Sequence, residues 1–286
     1  MPRAFLVTYC GHENASSELS QSLLRSQQLF SALGELVGFQ VVLWDEALIR
    51  QRLDDAEDLI RDYSDDFAQA CLDEQIRFNP DWLRAGLFRW KPAIISHTLH
   101  SLMSEGDLLV YLDCNLEKFP CYQSLIKAGP SYFGGLLKHS SVVLFQDRYR
   151  RLGRDTKRLI LENYLSEFRD SGRVLPGIWA GCIAFRKDRA GMAFVDRWHD
   201  VCAVDNLAPL PDVPHYQRFS EYKWHSQEQS MLAVLYHRLC RDGGVARVRV
   251  VVAPARRLMR WSSVSMLCKW IRLKAMTALS CLYASS

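Results

Sequence analysis

The chain lacks the cysteine spacings, long apolar runs and repeats that would place it in several large classes of protein. Its nine cysteines include no C-x-x-C pair, which excludes the common zinc and thioredoxin-like centres built on that spacing. No window approaches the run of about 18 apolar residues that a membrane-spanning helix needs. No internal repeat or low-complexity linker is present, so one compact domain is a better prediction than two.

The first residues also lack the pattern of a secretory signal. The apolar run Ala4 to Val7 is short and leads into polar residues, without an h-region or a cleavage site. An odd, unpatterned set of cysteines on such a chain is typical of reduced thiols. These features predict a cytoplasmic protein with reduced cysteines.

Acidic residues are missing from the end of the chain. None follows Asp242, whereas eight Lys and Arg residues do, so a net charge of +4 leaves −4 for residues 1 to 242. We predict a folded domain at 1–254 and a basic, aromatic segment at 255–286. That segment either makes a peripheral contact with an anionic membrane, at its inner face, or packs on the domain as a helix with its basic face in solvent.

The composition that is present favours an α/β fold with a large core. Hydrophobic residues make up 49% of the 286 residues. Apolar spacing predicts a strand at Ala4 to Tyr9, a helix from Ser16 or Ser17 to about Leu36, and a strand at Phe39 to Trp44. This β-α-β beginning implies parallel strands.

Later segments continue the alternation of helices and strands. Further strands are predicted at Ser141 to Phe145, Ile178 to Phe185 and Val248 to Val252, and further helices at Pro92 to Met103, Asp155 to Phe168, Ala190 to Val201 and Gln227 to Arg241. The segment around Pro120, Pro130 and Gly134-Gly135 is predicted to form loops.

A short apolar stretch, Leu108 to Leu112, ends in two polar residues that bear on function. It predicts a buried central strand that delivers Asp113 and Asn115 to the carboxyl end of the sheet, where open α/β folds bind their ligands. Oxygen ligands at that place suit a divalent cation that carries a diphosphate. A nucleotide-sugar transferase needs this geometry, although Asp113 could instead only cap the next segment.

Three motifs in sequence order carry a resemblance to a known family. They are Gly86 with Trp90-Lys91-Pro92, Gly106-Asp107 with Tyr111 and Asp113, and Glu228-Gln229-Ser230. The chain resembles, over roughly residues 4 to 240, glycosyltransferases of the GT-A fold, particularly galactosyl and mannosyl transferases. The resemblance implies a Rossmann-like α/β domain with a mixed central sheet.

The resemblance also implies a Mn²⁺ or Mg²⁺ cofactor. Asp113 takes the place of the metal-binding aspartate, and Asn115 stands where the family's usual D-x-D signature has its second acid. An amide oxygen binds a cation more weakly than a carboxylate does. His225 is a further candidate metal ligand, because an imidazole has that role in some relatives of the fold.

Donor binding is expected of side chains at several other points. Lys91 would pair with a phosphate or a sugar hydroxyl, or else face solvent, while Trp90 is expected in the core. Gly181, in Trp179-Ala180-Gly181, would let the backbone approach the donor sugar, although tight packing explains a strand glycine equally well. Fold analogy adds Thr8 and Tyr9 at the end of the first strand, where Tyr9 could stack on the nucleotide base.

The acid-Gln-Ser triplet provides the main catalytic candidate beside Asp113. Glu228 would act as a general base in an inverting transferase and would position the donor in a retaining one, and Gln229 would contact the donor. The look-alike families favour a retaining mechanism. Ser226 and Gln229 also match a capping box, which is a purely structural alternative.

These features predict an enzyme that transfers a sugar from a nucleotide diphosphate sugar to a hydroxyl of a glycan or lipid-linked acceptor, without a nucleic-acid partner. One alternative is a nucleotidyltransferase, which the sequence disfavours because no Gly-rich phosphate loop follows the first strand. The other is a catalytically silent relative that binds a partner through its basic C-terminal segment.

Overall fold

A six-stranded sheet forms the centre of the protein in a computed structural model that describes residues 2–11, 17–73, 83–116, 120–165, 175–208, 225–242 and 247–252. Its strands are β1 (Ala4–Tyr9), β2 (Gln40–Trp44), β3 (Leu108–Leu112), β4 (Val142–Arg151), β5 (Pro176–Arg186) and β6 (Val248–Val252). Across the sheet they follow the order β2, β1, β3, β5, β4, β6. The basic segment predicted at 255–286 lies outside the described residues.

The sheet mixes parallel and antiparallel strands. β1 runs parallel to both β2 and β3, and β4 runs parallel to β6. β5 is antiparallel to its two neighbours, β3 and β4. The predicted α/β class with a mixed central sheet is therefore confirmed, and the arrangement is compatible with a Rossmann-like fold.

Helices connect the strands and cover both faces of the sheet. Among the described residues they are α1 (Ser17–Leu36), α2 (Glu46–Arg52), α3 (Ala56–Ile60), α4 (Ser64–Asp73), α5 (Trp90–His97), α6 (Pro120–Leu136), α7 (Leu152–Asp155), α8 (Arg158–Tyr164), α9 (Arg189–Val201), α10 (Val204–Leu207) and α11 (Gln227–Arg241). A 3-10 turn at Gly86–Phe88 precedes α5, and a π-helical turn at Thr98–Leu102 follows it. None of the helices in this part of the chain is long and apolar enough to cross a membrane.

Alternate residues of the central strands pack into two cores, one on each face of the sheet. Leu109 and Tyr111 of β3 belong to the core that includes residues of α5, α9 and α11. Val110 and Leu112 belong to the core that includes residues of α1 and α6. All five residues of β3 are buried, as its continuous apolar sequence predicted, because a strand covered on both faces has no polar side.

The prediction of loops after Asp113 is wrong, because α6 occupies most of that segment. Gly129 interrupts α6 with a left-handed φ of 74°, and Pro130 follows it directly. Pro120 begins the first part of the helix in the same way. A proline is tolerated at the first helical position because its missing N–H would have no partner there.

The single helix predicted from Asp155 to Phe168 is also wrong, because the chain breaks between α7 and α8. Thr156 is extended, with φ −141° and ψ 139°, and Lys157 is not helical either. Both side chains are buried. This break lies beside the start of α11.

Two of the nine cysteines form a disulfide, which corrects the prediction of reduced thiols at those positions. Cys10 follows β1 and Cys114 follows β3, and their Cα atoms are 5.9 Å apart. That spacing lies within the range that a disulfide bridges. The disulfide could not be predicted from the sequence, because its two cysteines are 104 residues apart. Only the parallel pairing of β1 with β3 brings these strand ends together.

Replacing Cys10 with serine should lower the free energy of unfolding by about 2–4 kcal/mol, because the unfolded chain loses a long covalent loop. Chemical denaturation without reductant measures the change. Cys240 is exposed and unpaired, so Cys240→Ser is the matched control and should leave stability nearly unchanged. Wild-type protein in dithiothreitol should behave like Cys10→Ser; an unfolding curve unaffected by reductant would contradict this prediction.

Candidate functional site

A strained turn delivers Lys91 to the interior of the protein. Gly86, Leu87 and Phe88 have φ values of 59°, 54° and 60°, which is unusual for the two non-glycine residues. A side chain on Gly86 would collide with the Leu59 carbonyl oxygen, 2.0 Å from its Cβ position. The glycine of the first motif is therefore required where the backbone passes α3. Backbone strain of this kind is often found beside functional residues.

Lys91 joins the first motif to the other two. Its Nζ lies 2.6 Å from Glu228 Oε1 and 3.1 Å from Asp113 Oδ1. The side chain is only 4% exposed, so the alternative of a solvent-facing lysine is wrong. Burial lowers the pKa of Lys91, but the two carboxylates outweigh this effect and leave its pKa above the usual value. The ammonium group is therefore charged at neutral pH.

Aromatic rings surround the ammonium group of this lysine. The rings of Phe88, Trp90 and Tyr111 have their centroids 5.3–5.8 Å from Lys91 Nζ, which allows cation–π attraction. Trp90 is buried, as predicted, and its indole N–H donates to the Ala85 carbonyl oxygen at 3.1 Å. The rings hold the ammonium between the carboxylates of Asp113 and Glu228.

Asp113 lies directly after β3 with its carboxylate partly accessible. Its backbone N–H donates to the Gly181 carbonyl oxygen at 3.0 Å. Its carboxylate accepts hydrogen bonds from the hydroxyls of Tyr111 at 2.9 Å and Tyr122 at 3.2 Å. The side chain remains 35% exposed, so a ligand can reach it. These contacts fix the carboxylate at the carboxyl end of the sheet, where the sequence predicted it.

Glu228 is the buried partner in this arrangement. Its side chain is 6% exposed, and it is the second residue of α11. Burial raises the pKa of Glu228, Lys91 opposes that rise, and Asp113 adds to it, so that the pKa lies above the usual value for a glutamate. One buried cation thus serves two carboxylates, which keeps one negative charge in excess near the end of β3.

Gly181 packs directly against Asp113, and a larger residue would not fit at this position. A Cβ at this position would lie 2.3 Å from the Tyr122 hydroxyl and 2.8 Å from Asp113 Oδ2. Any side chain would therefore displace the carboxylate or its donor. The structure thus connects Gly181 to the position of Asp113, while its predicted contact with a donor sugar stays a prediction.

The predicted capping box at α11 does not form. Ser226 Oγ accepts a hydrogen bond from Arg150 at 2.8 Å, and the Ser226 backbone N–H donates to Ser230 Oγ at 3.0 Å. Gln229 Oε1 instead accepts from the Ala180 backbone N–H at 3.3 Å. Gln229 therefore ties α11 to the strand beside Gly181, so its side chain reaches the candidate site without capping the helix.

The two predicted nucleotide-binding residues of β1 are placed in different surroundings. Tyr9 stacks on Trp90, with ring centroids 3.9 Å apart and an interplanar angle of 26°. One face of Tyr9 is therefore occupied, and base stacking would have to use the other. Thr8 is fully buried, and its hydroxyl has no hydrogen-bond partner among the described residues.

His225 is placed with Lys157, and its tautomer disfavours the predicted metal role. Its Nδ1 accepts the Lys157 backbone N–H at 3.4 Å, so the ring proton of the neutral imidazole lies on Nε2. A metal needs a free lone pair, which neither ring nitrogen then offers.

The residues after β3 provide only part of a binding site for a divalent cation. Within the described ranges, no group of three or more His, Cys, Asp or Glu residues is spaced to hold a metal ion. Asp113 and the half-buried Asn115 could still bind an ion that arrives on a substrate, because Mg²⁺ commonly takes one or two carboxylates and completes its shell with phosphates. The Lys91 ammonium beside Asp113 would weaken such binding.

Sequence reasoning missed two residues that complete the site. Tyr122 lies in α6, where loops were predicted, so no helical periodicity drew attention to it. Trp198 of α9 donates its indole N–H to the Glu228 carbonyl oxygen at 3.1 Å. Tyr122 meets Asp113 across 9 residues and Trp198 meets Glu228 across 30, and neither contact follows from a local sequence pattern.

The fold and this site define an α/β protein with a buried lysine and two carboxylates beside the carboxyl end of a central strand. No protein-family model and no curated protein matches the chain.

Proposed function

We propose that the protein is a GT-A-type glycosyltransferase that moves a sugar from a nucleotide diphosphate sugar to a hydroxyl of a glycan or lipid-linked acceptor. The observation that carries this proposal is the contact of Lys91 with Asp113 and Glu228. Each of the three residues comes from a different motif, and the three motifs are separate parts of the family resemblance. Motifs that matched by chance would have no reason to share one ion pair.

The fold supports the same proposal. The carboxyl ends of the parallel strands β1 and β3 are neighbours, and such an edge is where open α/β sheets bind nucleotides. The candidate residues Tyr9 and Asp113 follow these two ends. The mixed sheet is the kind that the GT-A resemblance implied.

Asp113 and Lys91 supply complementary charges for a nucleotide diphosphate. In this proposal Asp113, with Asn115, would hold Mn²⁺ or Mg²⁺, and the ion would supply positive charge to the diphosphate leaving group. Lys91 uses two of its three N–H groups on Glu228 and Asp113 and can donate the third to a donor oxygen. Tyr111 and Tyr122 hold the Asp113 carboxylate in one orientation.

Glu228 has one of two roles, depending on stereochemistry. In an inverting reaction its carboxylate takes the proton from the acceptor hydroxyl, and its raised pKa makes it a stronger base than an ordinary glutamate. In a retaining reaction, which the look-alike families favour, the carboxylate positions the donor sugar. Lys91 orients the carboxylate in both cases.

The basic C-terminal segment is the basis for a proposal about where the enzyme acts in the cell. We propose that the basic segment 255–286 makes a peripheral contact with the anionic inner face of a membrane, where a lipid-linked acceptor would be found. Salt-sensitive binding to anionic vesicles, and none to neutral vesicles, is the expected result. Salt-independent binding would contradict this placement.

A panel of nucleotide sugars tests the function. A donor should raise the melting temperature, more strongly with Mn²⁺ than without it, because a ligand of the folded state stabilises that state. Nucleoside diphosphate should then be released from the donor, slowly without an acceptor and faster with one. Pyrophosphate release from a nucleoside triphosphate mixed with a sugar 1-phosphate would instead indicate a nucleotidyltransferase, and binding without turnover would indicate a silent relative. If no nucleotide sugar binds, the proposal is wrong.

A further inference from the structure

A second cluster of polar side chains is buried beside α11, and these side chains make few hydrogen bonds. Thr156 Oγ1, His225 Nε2 and both polar atoms of the Gln227 side chain are buried and have no hydrogen-bond partner in the described part of the chain. Within the same described residues, Lys157 Nζ makes one hydrogen bond, to the Asp205 carbonyl oxygen at 3.3 Å. An ammonium group has three hydrogens to donate. Buried donors without acceptors cost free energy, so a cluster of them needs an explanation.

Backbone contacts bring this cluster together from two segments. The Ser226 backbone N–H donates to the Asp155 carbonyl oxygen at 2.9 Å, and the Lys157 N–H donates to His225 Nδ1 at 3.4 Å. Ser230 Oγ also donates to the Asp155 carbonyl oxygen. The break between α7 and α8 is therefore fixed against the start of α11. It places Lys157 beside His225.

The cluster consists mainly of donors. Because His225 accepts at Nδ1, its Nε2 carries the proton, and burial and the nearby Lys157 lower the pKa of His225 well below the usual value. The Asn206 backbone carbonyl, which lies within hydrogen-bonding range of the imidazole, partly offsets that effect. His225 is thus a neutral donor. Thr156 and the amide nitrogen of Gln227 add two further neutral donors.

Lys157 is the cation of the cluster. It is 3% exposed, and burial lowers its pKa to about 7, although Asp205 acts in the opposite direction. The Asp205 residue itself is exposed. The acid nearest in sequence, Asp155, has its carboxylate 4.0 Å from Arg150 and 3.7 Å from Arg154. Both of these charged neighbours of Asp155 are arginines, and the charge that acts on Lys157 is that of Asp205.

Backbone strain marks the same place. Gln227, the first residue of α11, has a φ of 48°, a left-handed conformation that is uncommon for a residue other than glycine. The N–H groups at the start of a 15-residue helix also favour negative charge. The side-chain amide of Gln227 is therefore held at the N-terminal end of α11, which is the end of a helix that attracts anions.

We propose that Thr156, Lys157, His225 and Gln227 form a binding subsite for an oxyanion, with a phosphate group as its natural occupant. Phosphate oxygens accept several hydrogen bonds at once, so one such group would satisfy the lysine and the neutral donors together. The subsite lies next to Glu228 in the chain but shares none of the three ion-paired residues. Its occupant is either the diphosphate of a sugar donor or the phosphate of a lipid-linked acceptor.

Sulfate tests the subsite without any assumption about sugar transfer, because it keeps its double charge between pH 6 and 8. Calorimetric titration of the full chain at low ionic strength should show saturable binding. Binding should be tighter at pH 6 than at pH 8, because Lys157 is charged below its pKa. Inorganic phosphate should bind to the same place and compete with sulfate.

Lys157→Met should weaken sulfate binding at least tenfold, since it keeps the buried stem and removes the charge. Lys187→Met is the matched control, because Lys187 Nζ also donates to backbone carbonyls, those of His100 and Met103, and should leave sulfate affinity unchanged. If Lys157→Met does not fold, Thr156→Val, which removes only the hydroxyl, should weaken binding severalfold.

The result that overturns the proposal is a wild-type protein without saturable sulfate binding, or variants at Lys157 and Thr156 that bind sulfate as wild type does. Two further probes separate the occupants. Displacement of sulfate by pyrophosphate but not by glycerol phosphate assigns the subsite to the donor diphosphate, and the reverse assigns it to a phosphate monoester of an acceptor. Because no sugar donor is used, these outcomes do not depend on whether the glycosyltransferase proposal holds.

Discussion

Replacing Asp113 with alanine should lower kcat/KM for sugar transfer by about 10³-fold and remove the effect of Mn²⁺ on donor binding. The reason is that Asp113 is the accessible carboxylate at the end of β3. Thermal shifts with a nucleotide sugar, measured with and without Mn²⁺, test the metal effect directly. If Asp113→Ala retains metal-dependent donor binding, the metal site lies elsewhere.

The same variant should be only moderately less stable. Lys91 keeps its 2.6 Å contact with Glu228, whereas the buried Tyr111 hydroxyl loses its acceptor, at a cost of about 1–3 kcal/mol. Asp113→Asn is the matched control, because its amide oxygen can still accept from a tyrosine; it should be more stable than the alanine variant and equally inactive. Asn115→Asp should tighten Mn²⁺ binding by adding a second carboxylate.

Replacing Glu228 with glutamine should lower turnover by about 10²-fold or more, because it preserves shape and removes the charge that Lys91 orients. Lys91 keeps Asp113 as a partner, so the variant should still fold and bind the donor. Circular dichroism and donor-induced thermal shifts provide the controls. A folded variant with turnover within a few-fold of wild type would assign Glu228 a structural role.

The pH dependence of wild-type turnover should report on the same carboxylate. Burial raises the pKa of Glu228 above that of an ordinary glutamate, and the reaction needs the ionised form. Activity should therefore fall on acidification at a higher pH than a solvent-exposed glutamate would give. Glu228→Gln has nothing to titrate there, so its residual rate should lose that acidic limb.

Elements with strong local patterns could be predicted from the sequence. The strand Leu108–Leu112 is apolar throughout, and β6 was predicted with the bounds Val248–Val252 that the structure has. Helices α1 and α11 have helical spacing and agree with their predicted bounds to within a residue. Asp113 was placed correctly at the carboxyl end of β3, because a residue that follows a buried strand must emerge at that edge.

Segments with mixed local signals were predicted less well. Pro120, Pro130 and the neighbouring glycines suggested loops, yet α6 packs on the sheet through Ile126 and Phe133. Burial of such an apolar face outweighs the cost of one glycine break. Between α7 and α8 the opposite occurs, because Thr156 and Lys157 leave the helical conformation and meet the start of α11.

The sequence alone determined the α/β class, the order of most elements and the three motifs, because apolar periodicity and strand ends are local properties. Only the tertiary structure decided which side chains meet. The Lys91 ion pair with Glu228 spans 137 residues, the Cys10–Cys114 disulfide spans 104, and Lys157 meets His225 across 68. Such contacts depend on strand order and helix packing, which local sequence patterns do not specify.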